Sequence, residues 1–230
     1  MATTLTIHQR ALRSTVIKKV VMAVTGLAMI AFLLVHMYGN LKMFVSFDAY
    51  DHYAHWLKND LLYPFMPHGQ FIWIFRFGLL AAIGLHIWSA ATLSRDTIKN
   101  RGDKYVNSKR VAQTYSARTM RWGGVIIAAF VVFHLIQFTI VPGSFGGSGD
   151  KPHTMVVESF IQWWMVALYA VCMVLICMHI RHGVWSAFTT LGANTSAQAR
   201  KNLNLLAIVV AVVLYVGFMI MPLAVLFRVI

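Results

Sequence analysis

The chain has 230 residues, of which 59% are hydrophobic and 12% are charged. The charged fraction is about half that of an average soluble domain, which argues against a water-soluble globule. Twenty lysines and arginines against seven acidic residues give a net charge of +13. These charges lie in short stretches between long apolar runs, a pattern typical of a membrane protein rather than of a chain that binds nucleic acid.

Five apolar runs are long enough to cross a bilayer, which takes about 20 helical residues. They lie at residues 20–44, 71–93, 123–141, 161–182 and 203–227. The connections are too short for a second folded domain, and a helix satisfies its own backbone hydrogen bonds in lipid. We therefore predict an all-α fold, with one integral membrane bundle of five transmembrane helices over residues 1–230. The first run is too long for a signal-peptide core, so we expect it to be retained.

The basic residues predict how the chain is oriented. The N-terminal tail and the connections at 94–122 and 181–202 lie on one side of a five-span chain, and they hold 15 basic and two acidic residues. The other side, with its helix ends, holds five of each. Because cytoplasmic loops collect lysine and arginine, we predict a cytoplasmic N-terminus and an outside C-terminus in the inner (cytoplasmic) membrane.

Four of the ten histidines lie within apolar runs, one in each of the first four: His36, His86, His134 and His179. An ionisable residue at membrane depth indicates a functional site. The direction of each span puts His36 and His134 in the outer half of the bilayer, and His86 and His179 in the inner half. Two imidazoles from opposing helices are the ligand set of a six-coordinate haem b, so the pattern predicts two haem b groups at two depths.

The four histidines could instead be packing residues of the bundle that form hydrogen bonds across helices. Among possible ligands, His182 competes with His179 because residues three apart share a helix face. We favour His179, which lies deeper in its apolar run. A zinc site would need four ligands in one tetrahedron rather than at two depths. Cys172 and Cys177 point about 140° apart on one helix, so we expect buried thiols there.

Two stretches are similar to those of a known family. The first span, from Lys18 through Gly26 to the segment at 36–41, resembles the opening helix of the cytochrome b subunit of succinate dehydrogenase/fumarate reductase, in its five-helix, two-haem family. The segment from His179 to Gly192 is similar to that family's H-x-x-x-G-x-x-S-A-F-x-x-x-G stretch. The resemblance covers essentially the whole chain.

The resemblance implies a membrane anchor for a flavoprotein subunit and an iron–sulfur subunit on the cytoplasmic face. Succinate would be oxidised at the flavin, and the electrons would pass by way of the two haems to a quinone, for which we favour menaquinone. His86 and His179 would ligate the haem nearer the partner subunits, and His36 and His134 the distal one. Cys177 stands where some fumarate-reducing members carry a glutamate proposed to transfer protons, which favours succinate oxidation here.

Several polar residues are candidates for contacts with the haem propionates or the quinone. Arg118, Arg121 and Arg181 lie at the inner level and could bind propionates or, equally well, lipid phosphates. Arg76 lies near the outer face, where it could bind a distal propionate, polarise a quinone carbonyl or snorkel to the interface. A quinone pocket needs a proton donor, and the segment at 48–70 offers Asp51, His52, His55, Asp60 and His68. Most of these, together with His8 and His153, are in polar segments where we expect solvated side chains.

Two rival classes remain, a stand-alone membrane cytochrome b that reduces quinone without a dehydrogenase partner, and a small transporter. A transporter should have broken helices with charged residues at the midplane. Apart from the histidines and Arg76, the span interiors carry no charged side chain, so the transporter ranks low. The basic inner face is expected to attract anionic membrane lipids and an acidic partner surface.

Overall fold

The structure, a computed structural model, describes the backbone of residues 14–99, 115–143 and 151–230, and the side chains of all of these except 115–119. Within this part of the chain all the regular secondary structure is helical. The α-helices in chain order are α1 (Thr15–Leu41), α2 (Phe47–Asn59), α3 (Gln70–Lys99), α4 (Tyr115–Leu135), α5 (Pro152–Phe160), α6 (Trp163–Thr190) and α7 (Ala197–Leu226). A 3-10 turn (Lys42–Phe44) follows α1, and α4 continues as a π-helix (Ile136–Ile140).

Five of these helices, α1, α3, α4, α6 and α7, are long and apolar enough to cross a membrane. This confirms the predicted all-α class and indicates a multi-pass membrane protein. Helix α4 begins at Tyr115 rather than near residue 123, and α6 ends at Thr190 rather than near residue 182. At 1.5 Å per residue its 28 residues reach about 42 Å, more than the roughly 30 Å hydrocarbon core. The helix continues because residues 181–190 contain no proline and only one glycine.

The short helices α2 and α5 lie at the end of the bundle opposite the N-terminus of α1. We call this the outer end and the opposite one the inner end, after the orientation that the charges predict. The Ser46 hydroxyl accepts a hydrogen bond from the Ala49 amide at 3.0 Å and caps α2. The two helices meet where the His153 amide and ring Nδ1 lie 3.0 and 2.6 Å from the two oxygens of Asp51. Their side chains are 17% and 20% exposed, so the expectation of a solvated side chain is wrong for His153. The reason is that Phe47 also stacks on the His153 ring, at 4.9 Å.

Helix α6 is the centre of the bundle. It packs most extensively against α7 and also packs against α1 and α4, whereas α3 packs mainly on α1. A cluster of buried side chains fills the end of the bundle near α2 and α5, and we call it the outer core cluster. Its buried members are Met43, Val156, Phe160, Met165, Val166, Tyr169, Met173, Met219, Met221 and Val225. Among the described residues, α1 does not pack closely on α4, nor α3 on α6. Helices α1 and α4, and likewise α3 and α6, are therefore not direct packing neighbours in the described part of the chain.

One ion pair ties α1 to α3 at the end where α1 begins. Lys18 Nζ lies 2.8 Å from Asp96 Oδ2, and the lysine side chain is 8% exposed while the aspartate is 39% exposed. The pair therefore holds a nearly buried ammonium against a carboxylate that still reaches solvent. It fixes α1 against α3 one turn before the residues that contact His86.

Candidate functional site

The inner pair of histidines faces across the space between α3 and α6. The ring centroids of His86 and His179 are 6.2 Å apart, with the planes tilted by 59°. Nδ1 of His86 lies 3.1 Å from the backbone oxygen of Met22 and 3.3 Å from the hydroxyl of Thr25. Because a carbonyl can only accept, Nδ1 is assigned the proton and Nε2 keeps its lone pair. Metal-binding histidines are typically oriented in this way.

The outer pair faces across the space between α1 and α4. The ring centroids of His36 and His134 are 5.9 Å apart, at an interplanar angle of 85°. Nδ1 of His134 lies 3.0 Å from the Tyr169 hydroxyl, which itself donates to Oε1 of Gln137 at 2.7 Å. The tyrosine proton is engaged by Gln137, so its oxygen accepts from Nδ1–H of His134. Nε2 of His134 therefore also keeps its lone pair.

The two pairs lie at two different levels of the bundle. On α1, Thr25 contacts the inner pair and precedes His36 by eleven residues, or roughly 16 Å of helix. On α6, Tyr169 contacts the outer pair and precedes His179 by ten residues, or roughly 15 Å. Both helices therefore give about the same separation between the inner and the outer pair. Four histidines so placed form two pairs and do not converge into one tetrahedron.

The residues present fit a haem b at each level. Metal–imidazole nitrogen bonds are about 2 Å long, so two imidazoles on opposite sides of one metal have ring centroids roughly 6 Å apart. Both pairs have this separation. In the described part of the chain, each pair joins helices that do not pack closely on one another. Nδ1 of His179 is buried without a hydrogen-bond partner among the described residues. The inner site therefore contains a polar atom that the described part of the protein leaves unpaired.

Two glycines lie against the inner pair. A Cβ added at Gly26 would lie 3.3 Å from Cε1 of His86, and one added at Gly124 would lie 3.9 Å from Cε1 of His179. Gly26 precedes His36 in the same helix but contacts the histidine of the inner pair, because α1 packs along α3. The absence of a side chain at residue 26 lets His86 approach α1 closely enough to reach the Met22 carbonyl.

The predicted arginines lie in three different settings. Arg76 stacks over the Trp73 ring at 4.9 Å, at the outer end of α3. Arg121 reaches from α4 to α3, with Nη1 3.2 Å from the Ser94 hydroxyl. Arg181 lies in a groove of about 340 Å³ between α6 and α7, away from the face that carries His179. The groove that Arg181 lines contains neither histidine of the inner pair, and the side chain of Arg118 lies outside the described residues.

The candidates for a quinone proton donor differ in their exposure to solvent and in their contacts. His55 and His68 both approach Asp60, at 3.5 and 3.0 Å, and both are well exposed, as is His52. Of the predicted group, Asp51 stands out because it is largely shielded and hydrogen-bonded to His153. His8 lies outside the described residues.

Three residues that hydrogen-bond to the histidines were not found from the sequence, Met22, Thr25 and Tyr169, and neither was Gln137, which accepts from Tyr169. A usable signal existed for two of them. Gln137 and Tyr169 are polar residues within apolar runs, to which the same argument applies as to the histidines. The Met22 contact uses a backbone carbonyl, so no side-chain pattern could have indicated it.

No protein-family model, curated protein or solved structure matches this chain.

Proposed function

We propose that the chain is the haem b-binding membrane anchor of a succinate:quinone oxidoreductase, the class known as respiratory complex II. In this role it connects a flavoprotein and an iron–sulfur subunit to a membrane quinone. The observation that carries the proposal is the placement of four histidines as two facing pairs at two levels, each spanning helices that do not pack closely. The sequence resemblance supports the choice of complex.

The chain's own residues hold and orient the two groups. His86 and His179 bind the inner haem, and His36 and His134 the outer one. Met22 and Tyr169 keep the protons of His86 and His134 on Nδ1, so that each Nε2 keeps the lone pair that would bind the metal. Bound haem supplies one-electron transfer at each level. Arg76, which is at the outer level, is the candidate for a contact with a distal propionate or a quinone carbonyl.

The proposed orientation puts the N-terminus and the α6–α7 turn in the cytoplasm and the C-terminus outside the inner membrane. The support is the excess of basic residues on the N-terminal side. The inner pair then lies nearer the cytoplasmic partner subunits. The quinone, taken as menaquinone, would bind near the outer pair, where Asp51 and His153 offer a shielded carboxylate–imidazole pair.

The test is a pyridine-haemochrome measurement with a reduced-minus-oxidised spectrum on detergent-purified protein. We expect two haems b per chain, and one of them lost when either member of a pair is replaced in His36→Ala, His134→Ala, His86→Ala or His179→Ala. His182→Ala, which removes a histidine one turn from His179, is the matched control and should keep both haems. Absence of haem from folded protein, or two haems in all four variants, would contradict the proposal.

Co-purification separates the complex from its alternative. An anchor should be recovered with a flavoprotein and an iron–sulfur subunit when membranes are solubilised gently. Recovery of a two-haem chain that lacks such partners but still reduces or oxidises quinone would instead favour the stand-alone cytochrome b.

A further inference from the structure

Gln137 and Tyr169 form a short hydrogen-bonded chain that begins at His134. We propose that these two residues position the outer haem ligand and raise the electron donation of His134, an inference that rests on the proposed function. Its atoms are connected in one direction. His134 Nδ1–H donates to the Tyr169 oxygen at 3.0 Å, Tyr169 donates to Gln137 Oε1 at 2.7 Å, and Gln137 Nε2 donates to Met165 Sδ at 3.7 Å.

The chain is shielded from its surroundings. Gln137 is 2% exposed, and Tyr169 and Met165 are also buried. In such an environment each hydrogen bond polarises the next, and a buried polar group without its partner is costly. The sulfur of Met165 is a weak acceptor, so it ends the chain. The strongest acceptor available to the tyrosine is the amide oxygen of Gln137.

Local structure holds both residues in place. Gln137 lies in the π-helix that follows α4, which is closed by a bond from the Val141 amide to the Ile136 oxygen at 3.0 Å. Single π-helical turns occur frequently at functional sites. The Tyr169 ring packs edge-to-face against Phe130 at 5.0 Å and Phe160 at 4.9 Å, so its hydroxyl has little freedom to turn away from His134.

The inner pair is built differently, which makes the arrangement specific to the outer level. His86 donates to a backbone oxygen, and Nδ1 of His179 is buried without a hydrogen-bond partner among the described residues. A histidine that donates its second N–H to a good acceptor is a more basic metal ligand. A more basic ligand favours ferric over ferrous iron, so the Tyr169–Gln137 chain lowers the reduction potential of the outer haem.

The test is a spectroscopic redox titration of the purified complex with Tyr169→Phe. We expect the ferric-to-ferrous ratio of the outer haem to fall about tenfold at a fixed potential, which is a rise of about 59 mV for one electron. The inner haem is the internal control and should keep its potential. Tyr215→Phe is the matched control, because Tyr215 packs against the same outer core cluster and the variant removes the same single atom.

A second pair of variants separates the hydrogen bond from packing. Gln137→Leu removes the acceptor and should raise the potential of the outer haem, whereas Gln137→Glu keeps an acceptor and should not raise it. These variants also give the answer if Tyr169→Phe does not fold. An unchanged outer potential in both Tyr169→Phe and Gln137→Leu, with two haems bound, would overturn the inference.

The failure of the proposed function would look different. If the wild-type protein holds no haem, the proposed function falls, and nitrogen-15 NMR of the histidines tests the positioning role alone. We then expect His134 to carry its proton on Nδ1 in the wild type and to become a mixture of tautomers in Tyr169→Phe. A mixture already present in the wild type would overturn the positioning role as well.

Discussion

At the scale of single residues, the outer helices α2 and α5 contain ionisable groups whose environments differ sharply. Tyr50 on α2 is half-buried and packs against the outer core cluster. Burial, with the charge of Asp51 as the second cause, raises the pKa of Tyr50 to about 12. The neighbouring Asp51 pairs with His153 in a largely shielded position, whereas Asp60 meets its two histidines near solvent.

The raised pKa of Tyr50 predicts an alkaline loss of stability. An unfolded tyrosine releases its proton near pH 10, whereas the folded one keeps it until about 12, so the stabilisation is complete below 10 and is lost as the pH rises toward 12. We expect the Tyr50→Phe variant to lose less free energy of unfolding than the wild type between these values. Ultraviolet titration of tyrosinate measures the pKa directly, and a normal tyrosine titration at this position would contradict the prediction.

Replacing Asp51 should cost more stability than replacing Asp60. Asp51→Asn weakens the contact that joins α2 to α5 and leaves His153 without its carboxylate, a loss of about 1–3 kcal/mol for buried groups. Asp60→Asn changes only the exposed contacts with His55 and His68, which contribute little. Thermal or chemical unfolding in detergent compares the two variants. Equal effects would mean that the Asp51–His153 pair does not hold the helices together.

At the scale of helices, the contact between α1 and α3 includes an ion pair whose two members differ in burial. Lys18 is nearly buried, whereas Asp96 keeps contact with solvent. Removing one partner of a buried pair is costly mainly for the charge left behind. The two possible single replacements should therefore differ, although each removes the same ion pair.

Asp96→Asn should destabilise the protein more than Lys18→Met. The asparagine variant leaves a buried ammonium without its counter-charge, which costs about 3 kcal/mol, whereas the methionine variant leaves a carboxylate that water can reach. The free energies of unfolding in detergent decide between them, with Arg95→Gln, at the exposed neighbouring residue, as the control. A larger effect of Lys18→Met would show that the lysine is stabilised by other groups.

The apolar runs were enough to predict the five long helices, because length and hydrophobicity alone determine whether a segment can cross a membrane. The pairing of His36 with His134 and of His86 with His179 was also accessible, since span direction and residue count set the depth. The sequence did not predict which face of each helix turns toward the centre of the bundle. Three contacts depend on how the helices pack: Arg181 beside α7, Gly26 against His86, and Asp51 with His153. Because the runs are apolar on every side, their sequence does not indicate which face packs inward.

At the scale of the whole molecule, the orientation rests on charge and has its own prediction. In a variant whose Cys172 and Cys177 are replaced by alanine, we introduce single cysteines at the exposed residues Lys58 and Ala193. A membrane-impermeant maleimide should label Lys58→Cys in intact cells and Ala193→Cys only after permeabilisation, because the N-terminal side is the more basic. The opposite labelling pattern would reverse the orientation and put the inner pair outside.

The separation of α1 from α4 and of α3 from α6 has a consequence for how the molecule is made. Each histidine pair takes one member from the first two spans and one from the next two, so a nascent chain that has inserted only α1 and α3 holds half of each pair. In the part of the chain that the structure describes, α4 packs on α6 and not closely on α1, so His134 reaches its partner only when α6 is present. Both histidine pairs are therefore completed late in synthesis and nearly together. A ribosome-bound chain truncated before residue 163 should contain neither pair in its assembled form.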